Sequence, residues 1–481
     1  MALLLLAVPS WSSAEDPGSS LRLDPKAAWS GVARSGAWTE LHVGVVSEYG
    51  GELVLEARAA EVTSRLSGRV EALVPASFRL PAWVDRSGSI EVRAYGPEAV
   101  VERAEILVRR TGLERRVIAT ASQQFIESAE GSIVVAVEPS TLPSFGRAYE
   151  WIDLLVLDAP VLTQLALPQV RALAEHLGAC GRAILLGLSE VDQARWREVA
   201  GCGGEFLRME ESEDSIRELL SDGPVEPSRA GFLPPPSSPR HPAQRPLEIF
   251  FLLYVLALVA GLFSVRTVGG LAAIPMAASA ILVAGLWLSP PRAYFLAQVE
   301  AVEGAEVARF SMLLRIDGFA PGLARVEIPR FLGLPDPSAD ASLEIHLKAD
   351  EATTLVAEVP TYLLSRRFLS LAGAMPWRAP VEFELDGADV RVTNAGSTPL
   401  AAGYLVLGER VVALPELEPG EVFAAHDVHP VPSDALASLP PSLLATPRTP
   451  SVLLAEVPPP LQIPGAEPGE RWTSISARVG P

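Results

Sequence analysis

Apolar and polar residues alternate with period two from residue 21 to about residue 119, in short runs separated by turn residues. The clearest runs are 39–46 (TELHVGVV), 51–58 (GELVLEAR), 89–94 (SIEVRA) and 104–108 (AEILV). Each such strand buries one face and solvates the other, which predicts a β-sandwich over residues 20–120. Trp29 and Trp38 are expected to pack in its core or at its corners.

Near Gly131 the rhythm changes. Residues 132–137 (SIVVAV), 152–157 (IDLLVL) and 182–188 (RAILLGL) are almost unbroken apolar strands, the pattern of a sheet covered on both faces. Between the last two, Leu167, Val170, Leu173, Ala174 and Leu177 share one helical face. A further helix is expected over 191–200 and an edge strand over 205–209. This alternation predicts a doubly wound α/β domain over residues 121–222, with parallel strands and right-handed crossovers.

Residues 223–246 are dominated by Pro and Ser and read as a semi-rigid spacer. Two apolar stretches follow, 247–265 and 268–289; the first carries one charge, Glu248, and the second none. At a rise of ~1.5 Å per residue each is long enough to cross a hydrocarbon core of ~30 Å. Ala273, Ala277, Ala280 and Ala284 line one face of the second, where backbones can approach closely. The pair predicts a transmembrane helical hairpin turning at Arg266 and Thr267, with both flanks on one side. Residues 1–14 read as an export signal, the alternative being a mis-started N-terminus. With a signal, the protein is expected in the inner (cytoplasmic) membrane with its large domains extracytoplasmic. Arg240, Arg245 and Arg292 argue for the reverse orientation, but large domains translocate largely regardless of charge. Past Pro291 the alternation returns, for example at 322–328 (GLARVEI), 341–347 (ASLEIHL) and 354–359 (TLVAEV), and predicts a β-rich domain over 293–481.

Composition narrows the function. A content of 43 Pro and 37 Gly favours short strands and turns. The net charge of −19, without a Lys/Arg cluster, excludes a nucleic-acid partner. Two cysteines make neither a disulfide framework nor a zinc site, and no cofactor motif is present. Cys180 and Cys202 each precede a predicted strand, at the edge opposite the one where open parallel sheets bind ligands; they are a disulfide or two thiols. The carboxyl edge offers Glu138, Asp158, Ser189 and Glu190. Converging carboxylates there would bind a cation or a cationic ligand group; alternatively these residues cap the helices that follow. His176 ends its helix at the far edge and is expected to favour the helix dipole. His426 and His429 are the one His cluster, with no third ligand in view.

Several stretches in a fixed order carry a resemblance: Gly36-Ala37-Trp38-Thr39-Glu40-Leu41, the run 151–158 (WIDLLVLD) leading through Leu167-Pro168 to Gly178 and the strand 183–187, the hairpin with its preceding Arg245-Pro246-Leu247, and Val392-Thr393-Asn394-Ala395-Gly396 followed by 414–420 (LPELEPG). The order resembles a broad, uncharacterised group of bacterial envelope proteins. These have an N-terminal β-sandwich, a class I glutamine amidotransferase-like domain, a two-helix membrane hairpin and a C-terminal β domain. Catalytic amidotransferases carry a Cys on the turn after a strand, whereas here 182–188 leads into Ser189-Glu190. The resemblance therefore implies a non-catalytic, membrane-anchored scaffold or sensing module that binds other envelope proteins. The alternative is a membrane-anchored hydrolase or small-ligand sensor using Asp158, Ser189 and Glu190.

Overall fold

The structure, a computed structural model, describes residues 20–96, 101–112, 115–121, 132–179, 181–200, 207–208, 290–318, 320–329, 333–337, 342–348, 354–362, 365–386, 389–407, 410–425, 450–454, 461, 463–464 and 466–477. The strands predicted by alternation in the first hundred residues fall at Ala37–Ser47, Gly51–Ala59, Ser89–Tyr95 and Val101–Leu107. Leu21–Ala27, Ala37–Ser47 and Ala76–Val84 form a three-stranded antiparallel sheet. Gly51–Ala59, Val62–Val70, Ser89–Tyr95 and Val101–Leu107 belong to a seven-stranded sheet in the order Gly322–Pro329, Thr354–Thr361, Leu343–Lys348, Val62–Val70, Gly51–Ala59, Ser89–Tyr95, Val101–Leu107. Its one parallel ladder joins Leu343–Lys348 to Val62–Val70. The sheet is thus shared by strands from both flanks of residues 209–289. An eight-stranded sheet, built around Val307–Gly318 and Arg292–Val302, gathers most remaining C-terminal strands.

The expected fold class needs correction. Strand makes up 60% and helix 14% of the structure, a mostly β protein. Residues 116–208 carry five parallel strands, in the order Ser132–Ala136, Arg116–Thr120, Leu154–Asp158, Ala183–Leu186, Leu207–Arg208, yet no doubly wound α/β domain is evident. The physical reason lies in the connections. Between Ser132–Ala136 and Leu154–Asp158 the chain makes two short 3-10 turns, Pro139–Thr141 and Gly146–Tyr149, where a wound sheet has a crossover helix. Pro139, Pro143 and Gly146 deny that segment a helical run. The longer helices, Leu167–Gly178 and Glu190–Ala200, pack on each other, so they do not cover opposite faces. Continuous apolar strands signalled burial on two sides without saying what buries them: one face of this sheet joins the main core, and Ile118, Leu154, Val156, Ile184 and Leu186 form a small cluster of their own.

The membrane hairpin is corrected with it. Among the described residues no helix is long and apolar enough to cross a membrane. Residues 247–265 and 268–289 themselves lie outside the described residues, as do the signal segment 1–14 and the spacer 223–246. The signal peptide, the periplasmic setting and the amidotransferase-like domain gain no support.

Three buried polar junctions and one aromatic plug tie the parallel sheet to its neighbours. Trp29, Ser30 and Gly31 run consecutively in the left-handed region, at φ of 55°, 53° and 72°. A β-carbon disfavours that conformation, so surrounding contacts must hold it. They do: Trp29 is fully buried, donates from Nε1 to the Ala148 carbonyl at 2.9 Å, and meets Tyr149 and Trp151 edge-on at 5.0 and 6.0 Å. Arg34 donates to Asp153 at 2.6 Å, and the same carboxylate accepts from the Val117 N–H. Buried Glu40 accepts from Arg79 and from both the N–H and Oγ of Ser144. On the C-terminal side, Arg147 donates to Glu150 at 2.8 Å and pairs with Asp336.

Candidate functional site

At the carboxyl edge of the parallel sheet, Asp158 and Ser189 both serve the backbone. Asp158 caps the helix Ala159–Gln164, its Oδ1 accepting from the Val161 N–H at 3.0 Å, with Pro160 in the first turn. Ser189 Oγ accepts from the Asp192 N–H at 3.2 Å and donates to Asp192 Oδ2 at 2.6 Å, opening the helix Glu190–Ala200. Glu190 lies exposed in that first turn, where a carboxylate favours the helix dipole. Glu138 is exposed just before the turn Pro139–Thr141. No metal-holding group of side chains forms from these four among the described residues. Cys180, Cys202, His426 and His429 lie outside the described residues.

His176 departs from its expected role. It is buried, packed at a tilt against Tyr149 with ring centroids 5.5 Å apart, and burial pulls its pKa down to about 4 against a hydrogen bond with the Arg182 backbone. A neutral imidazole adds no cation to the helix terminus, so its part is packing. The close neighbour is Gly181, where a Cβ would come within 2.3 Å of the ring.

The side chains that do converge lie on the outward face of the seven-stranded sheet. Glu344 and His346 are two apart on Leu343–Lys348 and so share a face. Antiparallel pairing sets Glu358 opposite Glu344. His346 Nε2 lies 3.4 Å from Glu358 and 3.8 Å from Glu344. One ligand atom from each of the three falls within 4.8 Å of the others, the reach of a single divalent cation. However, Glu344 is already paired with Arg65 at 3.3 Å, and Arg65 with the buried Glu56 at 2.9 Å. Burial pulls the Arg65 guanidinium down, but the Glu56 hydrogen bond and the Glu344 charge outweigh it and hold its pKa above the ordinary value. An added cation would compete with that guanidinium, so the arrangement works first as an ion-pair row.

The row continues across the sheet. Glu56 stands opposite Arg93 on one side and Arg65 on the other, and Glu358 opposite Arg325. With Arg58, Glu91, Arg103, Glu105 and Glu327 in the same alternation, each of the seven strands places at least one charge on this face, and the face as a whole carries both signs. At ~4.8 Å per strand it is roughly 29 Å wide. The pattern of 341–347 marks only a strand; the alternation of Glu344 and His346 is a usable signal of a shared face, but their partner Glu358 depends on a pairing that no local pattern states.

A groove of about 670 Å³ at Glu303, Arg378, Pro380, Glu382 and Gly396 is half-open, with polar and apolar lining in near-equal measure. Within it Glu303 accepts from the Phe383 N–H at 2.7 Å. No protein-family model matches the chain, and no curated protein matches it closely enough to count as a relative.

Proposed function

We propose that the chain is a non-catalytic interaction scaffold, and that the charged face of the seven-stranded sheet binds another protein. The observation that carries this reading is the set of charges of both signs that reaches across all seven strands on one face. A mixed-charge surface selects a partner by complementary charge and fixes its register. The hydrolase reading finds less support, because Asp158 and Ser189 are engaged as helix caps. The resemblance noted above would make the partner another envelope protein.

A photo-crosslinking residue at position 327 of the full chain, used in cells and read by mass spectrometry, tests this. One or a few proteins should be captured, and Arg58→Glu with Arg325→Glu should cut their yield about tenfold while leaving the circular dichroism unchanged. Capture of no protein, or yields unaffected by the double reversal, would overturn the reading.

A further inference from the structure

The seven-stranded sheet ends at Val101–Leu107, whose outer edge carries no ladder among the described residues. The facing strand Leu21–Ala27 passes beside it without pairing. Two large apolar side chains flank this edge in solvent, Val101 at 44% and Leu107 at 77% exposure. Natural sheets seldom leave such an edge open, because it offers unpaired N–H and C=O groups to any other strand.

The charges on the strand are poorly matched within their own chain. Cross-strand pairing sets Arg103 opposite Arg93 and Glu105 opposite Glu91. Like charges directly opposite repel. Arg93 satisfies itself along its own strand, donating twice to Glu91 at 2.8 and 2.7 Å. Glu105 accepts from a neutral hydroxyl, Ser89 Oγ, at 2.5 Å.

The segment Val101-Glu102-Arg103-Ala104-Glu105-Ile106-Leu107 is self-complementary when two copies pair antiparallel about Ala104. That register sets Arg103 opposite the second copy's Glu105, Val101 opposite its Leu107, and Ala104 opposite its Ala104. By two-fold symmetry each contact occurs twice. We infer that the protein forms a homodimer by antiparallel pairing of this edge strand, joining two seven-stranded sheets into one and doubling the charged face. The occupant is a second copy because the segment complements itself: directly opposite Arg103 it sets an anion and directly opposite Glu105 a cation, where the neighbouring strand sets like charges.

The pairing has a test that a merely structural role would not pass. Sedimentation velocity of the full chain between roughly 1 and 100 μM should show a dimer of micromolar affinity, as suits a small interface. Arg103→Glu and Glu105→Arg should each weaken it at least tenfold, since each places like charges at both symmetric contacts. Within the chain the same changes set opposite charges against Arg93 and Glu91, so folding is not impaired. An equimolar mixture of the two variants should dimerise again, as should the double variant with both changes. Independently, Ala104→Cys under copper-catalysed air oxidation should give a covalent dimer whose linked peptide contains position 104 twice. A wild type that stays monomeric to 100 μM, single variants that dimerise like wild type, or a mixture that fails to reassociate would each overturn the inference.

Discussion

Replacing Arg147 by Met removes the cation from the junction between the parallel sheet and the C-terminal strands. Arg147 is 6% exposed and holds two carboxylates, Glu150 at 30% and Asp336 at 34% exposure. Removing one partner of a buried pair costs about 3–5 kcal/mol, but carboxylates this close to water recover part of their hydration, so about 2–3 kcal/mol is expected at pH 8. The loss should depend on pH. Burial raises the Glu150 pKa, Arg147 pulls it back and Asp336 adds to the rise, leaving it at about 7 against an ordinary 4.5. Arg309 also faces this carboxylate and favours its charged form. Because the folded state holds the proton more tightly, Glu150 costs stability as pH climbs from about 4.5 to about 7. Without Arg147 the carboxyl stays protonated to still higher pH, so the variant loses little at pH 5 and most at pH 8. Urea unfolding of the full chain at both pH values, followed by circular dichroism, measures this; Glu150→Gln in the same background should abolish the pH difference. A loss that is equal at both pH values, or below about 0.5 kcal/mol at pH 8, would refute the reasoning.

His176 predicts the opposite slope: its folded pKa of about 4 lies below the ordinary 6.5, so its share of stability is lost as pH falls through that window. His176→Leu should flatten the acid limb of thermal melts taken between pH 4 and 6.5, whatever its effect at pH 8. Gly181→Ala drives a Cβ to 2.3 Å from the His176 ring, and calorimetry at pH 7.5 should show a loss of about 1–3 kcal/mol. Asp158→Ala removes a helix cap and should cost about 1 kcal/mol in urea unfolding while leaving partner capture at position 327 unchanged.

Period-two alternation marked many strands because a half-buried strand must show it, whatever its partners. Val62–Val70 (VTSRLSGRV) shows the alternation only weakly, since Ser and Gly blur its pattern. Partner choice was not legible at all: nothing local in Leu343–Lys348 says that it pairs with Val62–Val70, and only the assembled core selects that neighbour. The same gap hid the convergence of Glu344, His346 and Glu358. At the parallel sheet's edge the capping roles of Asp158 and Ser189 were legible, because a polar residue before a helix has a defined backbone donor to meet. The fold class departs from expectation because continuous apolar strands imply burial on both faces without implying helices that cover them. His176 was placed by helix geometry, but Tyr149, which buries it, comes from a 3-10 turn with no periodic signal.

The parallel ladder between Val62–Val70 and Leu343–Lys348 sets a timetable for synthesis. On the ribosome the N-terminal sheet emerges first, and its future partner strand follows more than half a chain length later. At about 5–20 residues per second, roughly 15 to 55 s pass before that partner is made. Throughout this interval Val62–Val70 is the open border of a half-built sheet. Chains released early, or stalled before residue 343, would carry that border exposed and are the species most prone to aggregate or to need a chaperone.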